Sequence, residues 1–269
     1  MWRFIVKTII PNRWLVALRL AIQPEFEDFP LVAVPPAAGL LRRVVSTYGY
    51  GRSIVENAPV DASGSPIPWY TYPMVEYLDS FDLSELRVFE YGCGNSTLWW
   101  AARVREVVSV EDKPEWYAKV SEMLPANSQL LLEADESRYS ESIKRFGSFD
   151  LIVVDGIVRY QCCVEAVKHL NPGGAIILDN SDCLPRSTAF LRSTGLFEVA
   201  INGFTPLISR ASRTSLFLSQ PSRLRFKPHR PALAGAVEDW DENTFDLRAD
   251  RILEQRQTRY TPNRRRISV

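Results

Sequence analysis

The sequence predicts an α/β fold. Its centre is a seven-stranded mixed sheet of five parallel strands closed by a C-terminal antiparallel pair. An N-terminal helical, loop-rich extension precedes it. Three observations predict this. From Arg87 to Asn180, strand-like runs alternate with helix-like runs until five strands have passed. Those strand runs are almost continuously apolar, as strands of a parallel sheet covered on both faces must be. Two further runs, FEVAINGF and TSLFLSQ, then follow with no helix between them, which suits antiparallel neighbours.

The elements can be justified in order. RVFEYG is a short buried strand and STLWWAARV a helix. EVVSVED is a strand, and PEWYAKVSEML is a helix with Pro114 suited to its first turn. QLLLEAD is a strand and SRYSESIKRF a helix. FDLIVVDG is a strand and CCVEAVKHL a helix that NPGG ends as a C-terminal turn. GAIILDN is the fifth strand, and a helix near Arg186 to Thr194 leads to the antiparallel pair. Three regions result. Residues 1–80 form a helix and a wrapping arm, in which Pro24, Pro30, Pro35, Pro36, Pro59, Pro66, Pro68 and Pro73 stop regular structure. Residues 81–220 form the sheet domain, and 221–269 a polar tail ending in basic RYTPNRRRISV, read as partly disordered.

The chain has 269 residues, no formal net charge and 46% hydrophobic residues, enough for one core with extensions. A net charge of zero argues against a nucleic-acid binder. The four cysteines, Cys93, Cys162, Cys163 and Cys183, offer neither a disulfide framework nor a zinc-type pair, so a reducing, cytoplasmic setting is expected. The first residues, MWRFIVKTIIPNRWLVALRLAIQ, are apolar and basic. Pro11 and the regular charges break any membrane span, and Arg13 and Arg19 interrupt a secretory signal. Trp14, Leu15, Leu18 and Ile22 recur at helical spacing. They predict a helix packed on the domain, with membrane-surface docking as the alternative.

The stretch FEYGCGNSTLWWA, Phe89 to Ala101, carries the chemistry. A glycine turn after the first strand opens a helix at the strand ends, where ligands of wound sheets bind. A dinucleotide fingerprint would need glycine at Thr97, and Glu90 would repel a pyrophosphate. Glu90 suits a ligand presenting an ammonium. Glu111, ending the second strand, suits both hydroxyls of a ribose. Asp135, after the third strand, could reach an exocyclic amine, with Glu136 competing for that role.

Glu90-Tyr91-Gly92-Cys93-Gly94-Asn95-Ser96 resembles the first motif of class I S-adenosylmethionine-dependent methyltransferases, a Rossmann-like family, with Ser96 in place of its last glycine. The likeness covers about Trp69 to Leu218. It implies S-adenosylmethionine as cofactor, held by Glu90, Gly92, Gly94, Asn95, Ser96, Glu111, Asp112 and Asp135. Tyr70 and Tyr72 of IPWYTYPMVEYL would meet its carboxylate or line the entrance, with ordinary packing as the other reading.

FDLIVVDG and GAIILDNSD end in acids at the same sheet edge. Asp155 and Asp179-Asn180 are oxygen ligands of the kind that suits Mg2+. This resembles catechol-type and caffeoyl-CoA-type O-methyltransferases. It implies that Asp155, Asp179 and Asn180 face the acceptor and hold the metal. The sequence departs from them where Gly156, Ile157, Val158 and Arg159 follow Asp155, so a metal-free reading stays open, with Asp155 as a base. Asp179-Asn180 also reads as the cap of a turn. His169 sits near a helix end and His229 in the tail, so histidine-based hydrolysis is not expected. The expectation is methyl transfer to a small-molecule acceptor, to oxygen before nitrogen. Two rivals stay open: an NAD-dependent oxidoreductase on the same sheet, and a catalytically silent module docked to a membrane or partner.

Overall fold

The computed structural model describes residues 34–228 and Pro231. The amphipathic segment around Trp14, His229 and the basic C-terminal end lie outside the described residues. So does the compact unit Pro231–Val269, except for Pro231.

The extension begins with α1 (Val34–Arg42), which runs into a π-helical turn over Arg43–Thr47, and continues in α2 (Tyr50–Glu56). Ser53 is buried and its hydroxyl donates to the Val60 carbonyl, at 2.9 Å, tying α2 to the following loop. Helix α3 (Tyr72–Asp79) starts where Thr71 accepts from the Met74 amide and Pro73 takes the first turn. The short β1 (Phe81–Asp82) then leads to the sheet.

That sheet contains β2 (Arg87–Tyr91), β3 (Glu106–Glu111), β4 (Ser128–Leu132), β5 (Phe149–Val154), β6 (Leu170–Leu178), β7 (Phe197–Phe204) and β8 (Ala211–Leu218). Its spatial order is β4-β3-β2-β5-β6-β8-β7. The first five of these pair in parallel, and β8 runs antiparallel to both β6 and β7. The expected seven-stranded mixed sheet is therefore present. The switch point falls between β2 and β5, beyond whose carboxyl ends a ligand cleft opens. The helices that cross over are α4 (Asn95–Ala101), α5 (Pro114–Ser121), α6 (Glu136–Tyr139), α7 (Arg159–Lys168) and α8 (Pro185–Ser193).

Side chains alternate across the strands and divide the core into two layers. Val88, Leu151 and Ile177 face a layer with Tyr70, Met74, Leu78 and Trp100. Phe89, Ile152 and Ile176 face the other, with Tyr139, Ile143, Cys162 and Leu191. All four cysteines are free, and Cys162 and Cys163 are buried apolar filling.

Three segments differ from the sequence reading. NPGG does not end a helix. Helix α7 stops at Lys168, and Asn171 to Gly174 lie inside β6, where the register with β5 shifts between Phe149 and Leu151. The glycines serve a bulge there, and Asn171 donates to the Asp150 carboxylate at 2.9 Å. SRYSESIKRF is a single α-turn followed by a 3-10 helix, Ser140–Arg145. Tyr91 takes the Ser140 carbonyl for its hydroxyl at 2.7 Å. Residues 221–228, assigned to the polar tail, pack on the domain instead. Here β9 (Arg225–Phe226) pairs with β1, Phe226 stacks on Phe81 with centroids 4.6 Å apart, and Lys227 donates its amide to Ser80 at 2.9 Å.

Candidate functional site

At the carboxyl end of β2 the backbone turns at Gly92, whose φ of 102° is left-handed and whose amide donates to Val110 at 2.8 Å. Gly156, after β5, lies against it. A Cβ on Gly156 would sit 2.1 Å from the Tyr139 hydroxyl and 3.1 Å from the Gly92 nitrogen. This glycine pair lets the two central strand ends close on each other. Gly94 is extended, so of the two motif glycines only Gly92 holds left-handed backbone.

Glu90 is 1% exposed. Its Oε2 accepts from Thr97 at 2.5 Å and Ser109 at 2.8 Å. Burial pushes its pKa up to about 6, against the pull of the Ser96, Thr97 and Ser109 hydroxyls. Thr97 also accepts from the Gly94 amide at 3.1 Å, so the residue that breaks the dinucleotide fingerprint holds this loop to Glu90. Its position three residues after the helix cap is the available sequence signal. Glu111 accepts from the Cys93 amide at 3.2 Å and the Lys113 amide at 3.1 Å, which fixes the carboxylate beside the glycine loop. Burial raises its pKa.

The second group sits at the ends of β5 and β6. Asp179 is 2% exposed and accepts from Thr214 at 2.5 Å. Burial and the neighbouring Asp155 push it up to about 8. Burial also raises Asp155, to about 6, with Arg159 pulling down and Glu90 adding to the rise. Asn180 adopts left-handed φ, 51°, and donates to Ser212 at 3.2 Å.

These residues do not fit a metal. The Arg159 guanidinium lies between the expected ligands. It donates to Asp155 Oδ1 at 2.9 Å and Asn180 Oδ1 at 2.9 Å, so two of three donor groups already face a cation. Among the described residues no cluster of three histidine, cysteine, aspartate or glutamate side chains could hold a metal ion. The Mg2+ arrangement drawn from the catechol-type resemblance is thus corrected.

Both groups face one cavity of about 760 Å³, within the size range of small-molecule and cofactor sites. Glu90, Gly92, Ser96, Glu111 and Asp112 line one end. Asp155, Arg159, Asp179 and Asn180 line the other, and Trp69 and Trp116 also contribute. Gly94 and Asn95 line an adjoining pocket of about 150 Å³, and Asn95 donates to the Pro59 carbonyl at 2.7 Å. Asp135 is not brought to the cavity. It caps α6 by accepting from the Ser137 amide at 3.0 Å and pairs with Arg138. Glu136 lies in α6 and does not line the cavity either. Tyr70 and Tyr72 are core residues rather than entrance residues. Tyr70 is fully buried, and Tyr72 packs on Tyr48 at 5.1 Å.

Sequence reasoning missed Trp116. The Trp116 indole donates to the Cys93 carbonyl at 2.7 Å, and Lys119 lies 4.6 Å over its ring. A tryptophan in the first helical turn after Pro114 was the available signal. Thr205, in the loop joining the last two strands, also lines the cavity, with a buried hydroxyl that no described residue pairs.

No protein-family model and no curated protein matches the chain. Solved structures do match. One is a precorrin-8w decarboxylase of Methanobacterium thermoautotrophicum: 22% identity, 55% of this chain and 88% of that one, TM-score 0.42. Another is the N-methyltransferase NodS of Bradyrhizobium japonicum with S-adenosyl-L-homocysteine: 15% identity, 65% and 98% covered, TM-score 0.42. An rRNA methylase of Streptococcus thermophilus gives 15% identity, 54% and 93% covered, TM-score 0.40. Likeness this low leaves the chemistry of this chain to its own residues.

Proposed function

We propose that the chain is an S-adenosylmethionine-dependent methyltransferase acting on a small-molecule acceptor, at oxygen before nitrogen. The observation that carries this reading is the pair of buried carboxylates, Glu90 and Glu111, at adjacent strand ends facing one cavity. Glu90 opposes a pyrophosphate and suits an ammonium, which disfavours a dinucleotide, and Glu111 suits a ribose diol. When bound, the cofactor supplies a methyl group on a positively charged sulfur. Glu90, Gly92, Ser96, Glu111 and Asp112 would hold it, and Trp116 lines the same cavity.

The acceptor end must present a nucleophile and take its proton. Asp179, buried and raised to about 8, becomes a proton acceptor as pH rises toward 8. That strength suits a phenolic or enolic hydroxyl better than an aliphatic alcohol. Asp155 and Arg159 fix the geometry beside it, and Thr205 offers a hydrogen bond. Holding the two reactants in line accounts for much of the rate gain in such a transfer.

The test is calorimetric titration of the purified chain with S-adenosylmethionine and S-adenosylhomocysteine, repeated with Glu111→Ala. Micromolar binding, weakened about 10- to 100-fold by the substitution, supports the reading. No binding of either ligand overturns it. Transfer of labelled methyl to low-molecular-weight acceptors then separates an enzyme from a silent module.

A further inference from the structure

Arg159 has five N–H donors, and all five are used. Its Nε donates to the Gly156 carbonyl at 2.9 Å. Nη1 donates to the Asp179 carbonyl at 2.7 Å and Asn180 Oδ1 at 2.9 Å. Nη2 donates to the Asp155 carbonyl at 2.6 Å and Asp155 Oδ1 at 2.9 Å. One planar cation therefore joins the ends of β5 and β6 through three carbonyls, an amide and a carboxylate. The residue before it is forced into place: Val158 has φ 41°. A β-branched residue at left-handed φ is strained, and such strain collects at functional sites.

We propose that the Arg159 guanidinium is the resident cation of the acceptor end, standing where a divalent ion would otherwise join Asp155 to Asn180. Arg159 is a positioning residue: it aims the Asp155 carboxylate and the Asn180 amide, while the Asp179 carboxyl keeps its side-chain bond to Thr214. The acceptor is then activated by a carboxylate and not by a Lewis acid. Arginine performs this better than lysine, because only its planar fork serves five acceptors at once. The inference rests on the reading of this cavity end as the acceptor end.

The probe is Mn2+, followed by electron paramagnetic resonance with S-adenosylhomocysteine present. Wild type is expected to leave Mn2+ free, and cofactor affinity to be unchanged by a chelator. Arg159→Met removes the charge and frees the five oxygens it holds, so it is expected to bind Mn2+ at least about tenfold more tightly than wild type. Adding Asp155→Asn should abolish that gain. Micromolar Mn2+ binding by wild type, lost in Asp155→Asn, overturns the proposal; so does an Arg159→Met variant that binds no better than wild type. If Arg159→Met does not fold, the wild-type and Asp155→Asn pair still decides, and Arg159→Lys should exclude Mn2+ as wild type does. S-adenosylhomocysteine titration of wild type stands apart: its failure sinks the methyltransferase reading, whereas the Mn2+ result alone sinks only the role of Arg159.

Discussion

Asp179 links the chemistry of the site to the stability of the chain. Its ordinary pKa is 3.8 and the fold raises it to about 8; Glu90 and Asp155 are raised to about 6. The folded chain thus keeps protons on these carboxyls that the unfolded chain has released. Stability is highest in acid with respect to these groups, falls as pH rises through about 4 to 8, and levels off above. The melting temperature of the ligand-free chain should therefore decline from pH 5 to pH 9, and Asp179→Asn should flatten that decline. Methyl transfer should move the opposite way, rising with pH up to about 8 as Asp179 becomes available as a base, with cofactor binding much less affected. A transfer rate independent of pH across this range would exclude Asp179 as the base. At this scale the sequence was most readable where composition was unusual. An acid ending an apolar strand stands out, so Glu90 and Glu111 were found. Asp135 was misread because an aspartate two residues before a serine can equally be a helix cap. The bonds of Arg159 were not readable, since they depend on two strand ends meeting across 20 residues of sequence.

Between elements, the tightest joint is where β2 and β5 end. Gly156→Ala would press a methyl group against Tyr139, which is fully buried and cannot swing away. The expected cost is about 1–3 kcal/mol, read from denaturant unfolding. Removing the hydroxyl with Tyr139→Phe should restore part of it, although the ring carbon 3.0 Å away still crowds the site. Additive losses in the double variant would show that the contact is not the cause. The β1–β9 pair is a second joint. Phe226 is 45% exposed and stacks on Phe81, so Phe226→Ala should cost about 1 kcal/mol and lower the melting temperature by about 2–4 °C. Alternation of helix and strand was legible because period and burial agree in a two-sided sheet. NPGG was not, because glycine after proline marks a helix end and a strand bulge alike. Only the pairing of Phe149 with Leu170 decides between them.

For the molecule as a whole, a ligand held by Glu90 and Glu111 should stabilise every element that meets at the cavity. At about a hundred times its dissociation constant, S-adenosylhomocysteine should add about 2.7 kcal/mol, raising the melting temperature by about 5–10 °C; at the same concentration Glu111→Ala, binding about 10- to 100-fold more weakly, should keep only about 0.4–1.4 kcal/mol of that. No helix among the described residues is long and apolar enough to cross a membrane. The pairing of β1 with β9 also sets where the chain joins the sheet domain. Lys227 meets Ser80 just before β1, the short strand that leads into β2, and β8 reaches Leu218 opposite Ala175, near the start of the apolar part of β6. Both crossings therefore lie at the amino edge of the sheet, away from the carboxyl edge where the cavity opens. The two-residue ladder works as a buckle. At Phe226 the chain therefore stands on the side of the sheet opposite the cavity that Trp69 and Trp116 line.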